Sequence, residues 1–133
     1  MTPGPQSVVL DCQALSLLAR QDRAMVARVE SARRANARVL VSALTIIEAT
    51  GPKTNRARMR WARSRLTVVP VTEQDADTAV ELLHQAGLHG HQHAIDAAAA
   101  AMALRQAGHV TVITSDPDDW GRLCGDQVRI VAV

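Results

Sequence analysis

Five short apolar runs, rich in valine and isoleucine, recur along this chain, and between them lie stretches with helical spacing. The runs are "SVVLD" (7–11), "RVLVS" (38–42), "LTVVPV" (66–71), "HVTVIT" (109–114) and "VRIVAV" (128–133). Short runs of this kind suit buried strands, and Pro70 falls near the end of the third, where proline is tolerated. The intervening segments are read as helices. One region covers residues 13–36 with a break at Gln21-Asp22. "ALTIIEAT" is capped by Ser42 and stops at Gly51-Pro52, and a basic segment covers 53–65. Thr72 opens a helix to about Ala86, Gly87 to Gly90 form a break, an Ala-rich helix covers about 92–106, and a short helix covers 117–124. Strands alternating with helices indicate an α/β domain with a mainly parallel sheet.

A chain of 133 residues has room for one core, so residues 1–133 are read as a single domain. No repeat, linker or low-complexity tract divides it. With two Trp and neither Phe nor Tyr, the core falls to Ala, Val, Leu and Ile. A net charge of +2 does not by itself mark a nucleic-acid binder. Cys12 and Cys124 lack metal-ligand spacing and read as reduced thiols. "MTPGPQS" has no basic leader region, and the apolar stretch 94–104 is too short for a bilayer and carries Asp96. The expectation is a soluble cytoplasmic protein with no membrane association.

The acids carry the chemistry. In open parallel α/β sheets, ligands sit at the carboxyl ends of the strands. Asp11 closes the first run, and Asp116 follows the fourth by two residues, so both belong on one sheet edge. "ITSDPDDW" also reads as a helix start, with Asp116 as cap, Pro117 at the first position, and Asp118 and Asp119 favouring the positive end of the helix dipole. Asp116 is expected to serve both ends. Glu48 sits in "SALTIIEAT", where Leu44 and Ile47 argue against a fully solvated face. Asp96 sits in "HAIDAAAAAMAL", where a carboxylate needs a cation or a hydrogen-bonding partner. Each of these acids read singly is equally well a salt-bridged or solvent-facing one. Four carboxylates meeting at one edge would raise one another's pKa unless a cation neutralised them. An all-oxygen site suits Mg²⁺ or Mn²⁺, and such an ion activates water and stabilises charge on a phosphoryl oxygen. Phosphodiester hydrolysis is the chemistry this favours.

Over nearly its whole length the chain resembles the PIN-domain ribonucleases, particularly the VapC-like toxins of bacterial toxin–antitoxin pairs. "VVLDCQALSLL" resembles that family's first motif, "VSALTIIEA" its second, "HAIDAAAAAMALRQAG" its third and "VITSDPDDW" its fourth. The resemblance implies Asp11, Glu48, Asp96 and Asp116 as the catalytic, metal-binding acids, and Asp119 as a further acid that some members carry. Thr114 and Ser115 are expected to support them. It also implies a five-stranded parallel sheet of order 3-2-1-4-5 flanked by helices. The implied activity is Mg²⁺-dependent endonucleolytic cleavage of RNA, leaving a 5′-phosphate and a 3′-hydroxyl. A cognate antitoxin holds such toxins in check, and a homodimer is implied. One departure is visible: Cys12-Gln13 stand where the family often has a small residue followed by Ser or Asn, which bears on the hydrogen bonds around the ion.

Secondary features fit the same frame with alternatives open. Lys53, Arg56, Arg58, Arg60, Arg63 and Arg65 form either a solvated helix face or a phosphate-binding surface, and Trp61 either stacks on a base or joins the core. His89, His91 and His93 alternate before Asp96 without completing a tetrahedral zinc set, and read as a polar loop near the catalytic edge. Cys12 reads as a small core thiol. A catalytically impaired PIN-like module that binds RNA or protein is the competing reading. A receiver-like domain is disfavoured, because such domains carry a lysine after their last strand and the one lysine here is Lys53.

Overall fold

Each apolar run forms a strand, and all five lie parallel in one sheet. The computed structural model describes residues 4–133. The strands are β1 (Gln6–Leu10), β2 (Arg38–Ser42), β3 (Thr67–Val69), β4 (His109–Thr114) and β5 (Arg129–Ala132). The helices are α1 (Cys12–Ala19), α2 (Arg23–Arg34), α3 (Ala43–Ala49), α4 (Arg56–Ser64), α5 (Glu73–Ala86), α6 (Gly90–Leu104) and α7 (Pro117–Cys124). The sheet order is β3-β2-β1-β4-β5, as the resemblance implied. Val9 pairs with Leu40 on one side and Val112 on the other, which puts β1 at the centre.

The pleat sends alternate residues into two cores. On one face, Val9, Leu40, Val110 and Val112 pack with Ala97, Ala100, Trp120 and Leu123 from α6 and α7. On the other, Leu10, Val39, Val41 and Ile113 pack with Leu15, Leu18, Met25, Val29 and Met59 from α1, α2 and α4. Burial on both faces explains why the runs are continuously apolar. Trp120 is fully buried and is the largest side chain in the core, so one of the two tryptophans supplements the aliphatic residues.

Local signals placed most boundaries. Asp22 caps α2 through the Met25 amide at 3.0 Å, and Gln21 before it has φ 60°, which makes the break between α1 and α2. Thr72 and Asp75 form a reciprocal capping box on α5, and Gly87, at φ 67°, ends that helix in the left-handed conformation. The basic segment expected over 53–65 is helical only from Arg56, where Asn55 caps it through the Arg58 amide. β3 is shorter than the run 66–71, and Pro70, which has no amide hydrogen to donate, follows its last residue. The Ala-rich helix begins at Gly90 rather than near 92 and ends at Leu104. Among the described residues, no helix is long and apolar enough to cross a membrane.

Candidate functional site

Asp11 follows β1 and is 3 % exposed. One oxygen, Oδ1, accepts from the Ala14 amide at 2.9 Å and so caps α1. The other, Oδ2, accepts from the Ser115 amide at 3.0 Å, and the Asp11 amide itself donates to the Ile113 carbonyl. A single carboxylate thus joins the end of β1, the start of α1 and the turn after β4. Ser115 acts through its backbone, while its side chain is exposed. Thr114 is fully buried, and its hydroxyl accepts from the Asp116 amide at 2.8 Å.

Asp116 corrects one expectation. It occupies the N-cap position of α7, with Pro117 at the first turn, but its side chain makes no capping hydrogen bond. The carboxylate is exposed and uncommitted to the helix. Glu48 corrects another: it is exposed, as is neighbouring Ile47 at 69 %. With only seven residues, α3 buries little beyond Thr45 and leaves its last turn open to solvent.

The charges of three of these acids nevertheless bear on the fourth. Asp96, half-buried on α6, has its pKa pushed up to about 6, first by burial and then by the negative charges of Glu48, Asp11 and Asp116. His93 opposes that shift. The Cys12 thiol is pushed up to about 12 by burial, then by the charge and hydrogen bonding of Glu48, then by Asp11 and Asp96. It is therefore a neutral S–H among carboxylates and no nucleophile. Four acids from four separate elements share one edge of the sheet.

Among the described residues, no three His, Cys, Asp or Glu side chains form a ready-made metal cage. Magnesium does not require one, because it keeps several waters and is commonly held by one or two carboxylates plus phosphate oxygens. The donor set here is hard oxygen, and the charge that lifts Asp96 is what a divalent cation would neutralise. The residues present fit such an ion.

Around the acids, the histidines divide. His89 and His91 are exposed, whereas His93 Nδ1 lies 3.6 Å from Asp119 Oδ2, with side-chain exposures of 20 % and 31 %. The basic segment divides as well. Lys53, Arg56, Arg58, Arg60 and Arg63 are exposed. Arg65 is drawn away by Glu30, at 3.3 Å. Trp61 is half-buried against the core on the α1 and α2 side, so it is largely a packing residue. A groove of about 600 Å³ runs between α1 and α4, lined by Gln13, Arg20, Ala49, Lys53, Arg58 and Met59 among others. It begins next to Cys12 and Glu48. Arg20, just beyond the end of α1, is a basic lining residue that sequence reading passed over, because nothing local distinguishes it from any charged helix end.

A chain of the VapBC2 complex from Rickettsia felis, bound to a DNA fragment from the complex's promoter, superposes on this chain with a TM-score of 0.71. The match covers 96 % of this chain and 98 % of that one, at 16 % sequence identity. The fold is PIN-like. A T5 5′-exonuclease variant overlaps more loosely, with a TM-score of 0.42 at 17 % identity, over 97 % of this chain and 50 % of that one. No family model matches the PIN-like chain, and no curated protein does.

Proposed function

We propose that this PIN-like chain is a Mg²⁺-dependent endoribonuclease that acts as the toxin of a toxin–antitoxin pair. The observation that supports it most is the convergence of Asp11, Glu48 and Asp116 on Asp96, whose carboxyl their charges help to raise, near the carboxyl edge of the sheet. Asp11 and Asp96 would hold the cation directly, with Asp116 and Glu48 completing its surroundings. Mn²⁺ would substitute. When bound, the ion supplies charge neutralisation at the phosphoryl oxygens and an activated water.

The chain's own residues do the rest. Asp11 is fixed by the Ala14 and Ser115 amides, so its carboxylate enters the site with little freedom left to lose. Lys53 and Arg58 line the groove, with Arg56, Arg60 and Arg63 nearby on α4, and would hold the RNA backbone without reading its sequence. Trp61 adds at most one stacking surface. The VapBC2 structure is a complex, and the partner proposed here is likewise a cognate antitoxin. A segment of it would lie in the groove and reach the acids with an Arg or Lys. A homodimer in the cytoplasm is the proposed setting.

Purified, antitoxin-free protein incubated with total RNA should cut it with Mg²⁺ and leave it intact with a chelator. Cys12-Gln13 beside Asp11, with the Cys12 thiol held neutral among the acids, favours a second reading, a PIN-like module that binds RNA or protein without cutting. RNA binding without cleavage at any Mg²⁺ or Mn²⁺ concentration would select that reading.

A further inference from the structure

We propose that Asp119 is not a cation ligand but half of a clasp with His93, and that this clasp sets the spacing between Asp96 and Asp116. The inference rests on the nuclease reading above and assigns roles within the same site. Each member of the clasp stands one helical turn from an acid of the site. His93 precedes Asp96 by three residues on α6, and Asp119 follows Asp116 by three at the start of α7. His93 and Asp96 share a face of α6, and Asp119 lies in the first turn of the helix that Asp116 opens, so a contact between one pair fixes the approach of the other. That contact is present: Nδ1 and Oδ2 are 3.6 Å apart and both side chains are largely shielded.

The start of α7 needs such a tether. Asp116 is exposed and makes no side-chain capping bond; its backbone is held by the Thr114 hydroxyl at the amide and by the Trp120 amide at the carbonyl. Thr114 belongs to β4 and says nothing about distance to α6. Trp120, next to Asp119, is buried in the core shared with α6, which brings the two helices together below the site. The clasp closes them at the site itself. Among the three alternating histidines, His93 is the shielded one, as this role requires. The carboxylates that press hardest on Asp96 are Glu48, Asp11 and Asp116, while Asp119 faces the imidazole.

Residues that orient metal ligands typically change metal affinity about 10- to 100-fold when removed. The test is Mn²⁺ titration calorimetry on the wild type, His93→Ala, Asp119→Ala, Asp119→Asn and the His93→Ala/Asp119→Ala double variant, with metal-free melting in parallel. His93→Ala and Asp119→Ala should each weaken Mn²⁺ about 10-fold or more, the double variant no further, with melting nearly unchanged. Asp119→Asn should stay within about threefold of wild type, because it keeps the shape of the side chain and an oxygen able to face His93 Nδ1. Cleavage by His93→Ala should return toward wild type at saturating Mn²⁺.

An Asp119→Asn loss as large as that of Asp119→Ala would make Asp119 a ligand and overturn the clasp. Wild-type affinity in His93→Ala would overturn it as well, while leaving the nuclease reading intact. A wild-type protein that binds no Mn²⁺ would remove both.

Discussion

Asp11 Oδ2 accepts from the Ser115 amide at 3.0 Å across 104 positions of sequence, while Oδ1 accepts from Ala14. Both oxygens are thus structural acceptors as well as candidate ligands. Asp11→Asn turns a donor toward one of these amides, so it should lose cleavage and also destabilise the fold by about 1–2 kcal/mol. Denaturant unfolding alongside the RNA assay checks this. An unchanged midpoint would mean that the two bonds contribute little.

Asp96→Asn should do the opposite to stability. In the fold its carboxyl titrates at about 6, above its ordinary 3.8, so the native state holds the proton more tightly than the unfolded chain. This group's contribution is therefore most favourable below pH 3.8 and is lost as pH rises through 6. At pH 7.5 and without metal, Asp96→Asn should melt roughly 2–5 °C higher than wild type, with the gain gone near pH 4. Mg²⁺ should raise the wild-type melting temperature and leave the variant's unchanged. Scanning calorimetry at the two pH values would decide it.

Asp116→Asn and Asp116→Ala should both leave the melting temperature nearly unmoved, because the side chain makes no capping bond. Cleavage should fall steeply in both. Asp118→Asn, exposed in the first turn of α7, should alter neither quantity. Normal cleavage by Asp116→Asn would remove that acid from the site.

Away from the site, Arg105 grips Asp75 with two hydrogen bonds, Nε to Oδ1 at 2.7 Å and Nη2 to Oδ2 at 3.1 Å. The guanidinium, and the Thr72 bonds after it, hold the Asp75 carboxyl below its ordinary range despite burial. The stabilisation is present above that range and is lost as pH falls through the lowered value. Arg105→Ala should cost about 1–2 kcal/mol at neutral pH, since the half-exposed arginine is partly screened. The variant's acid unfolding should begin at a higher pH.

The strands and most helix ends were legible because their causes are local. Apolar runs, Ser42, Asp22, Thr72 and Gly87 act within a few residues of themselves. The placement of Asp11 and Asp116 on one edge of the sheet was legible because strand ends fix it without side-chain detail. What was not legible depends on which side chain reaches which partner across the fold. The Thr114 hydroxyl takes the amide of Asp116, yet nothing in "ITSDPDDW" says that the aspartate's own side chain will leave its helix uncapped. Arg65 looked like part of the basic patch until Glu30, 35 positions earlier, took its charge. His93 and Asp119 meet only because α6 and α7 pack side by side.

The helix that carries Asp96 continues as seven consecutive buried residues, six alanines and Met102. Methyl groups have no rotamers to exchange, so along that stretch backbone touches its neighbours almost directly, and Met102 alone can rearrange. A displacement of the sheet beneath, or of α5 beside it, therefore meets few side-chain rotamers along α6 that could absorb it. The helix works as a rigid ruler for its acid rather than as a cushion. Two added carbons, as in an alanine-to-valine change at Ala100, have nowhere to go and should cost about 1–3 kcal/mol while shifting the ruler itself. Sequence drift in this helix is thus coupled to the position of a carboxylate more than a turn away.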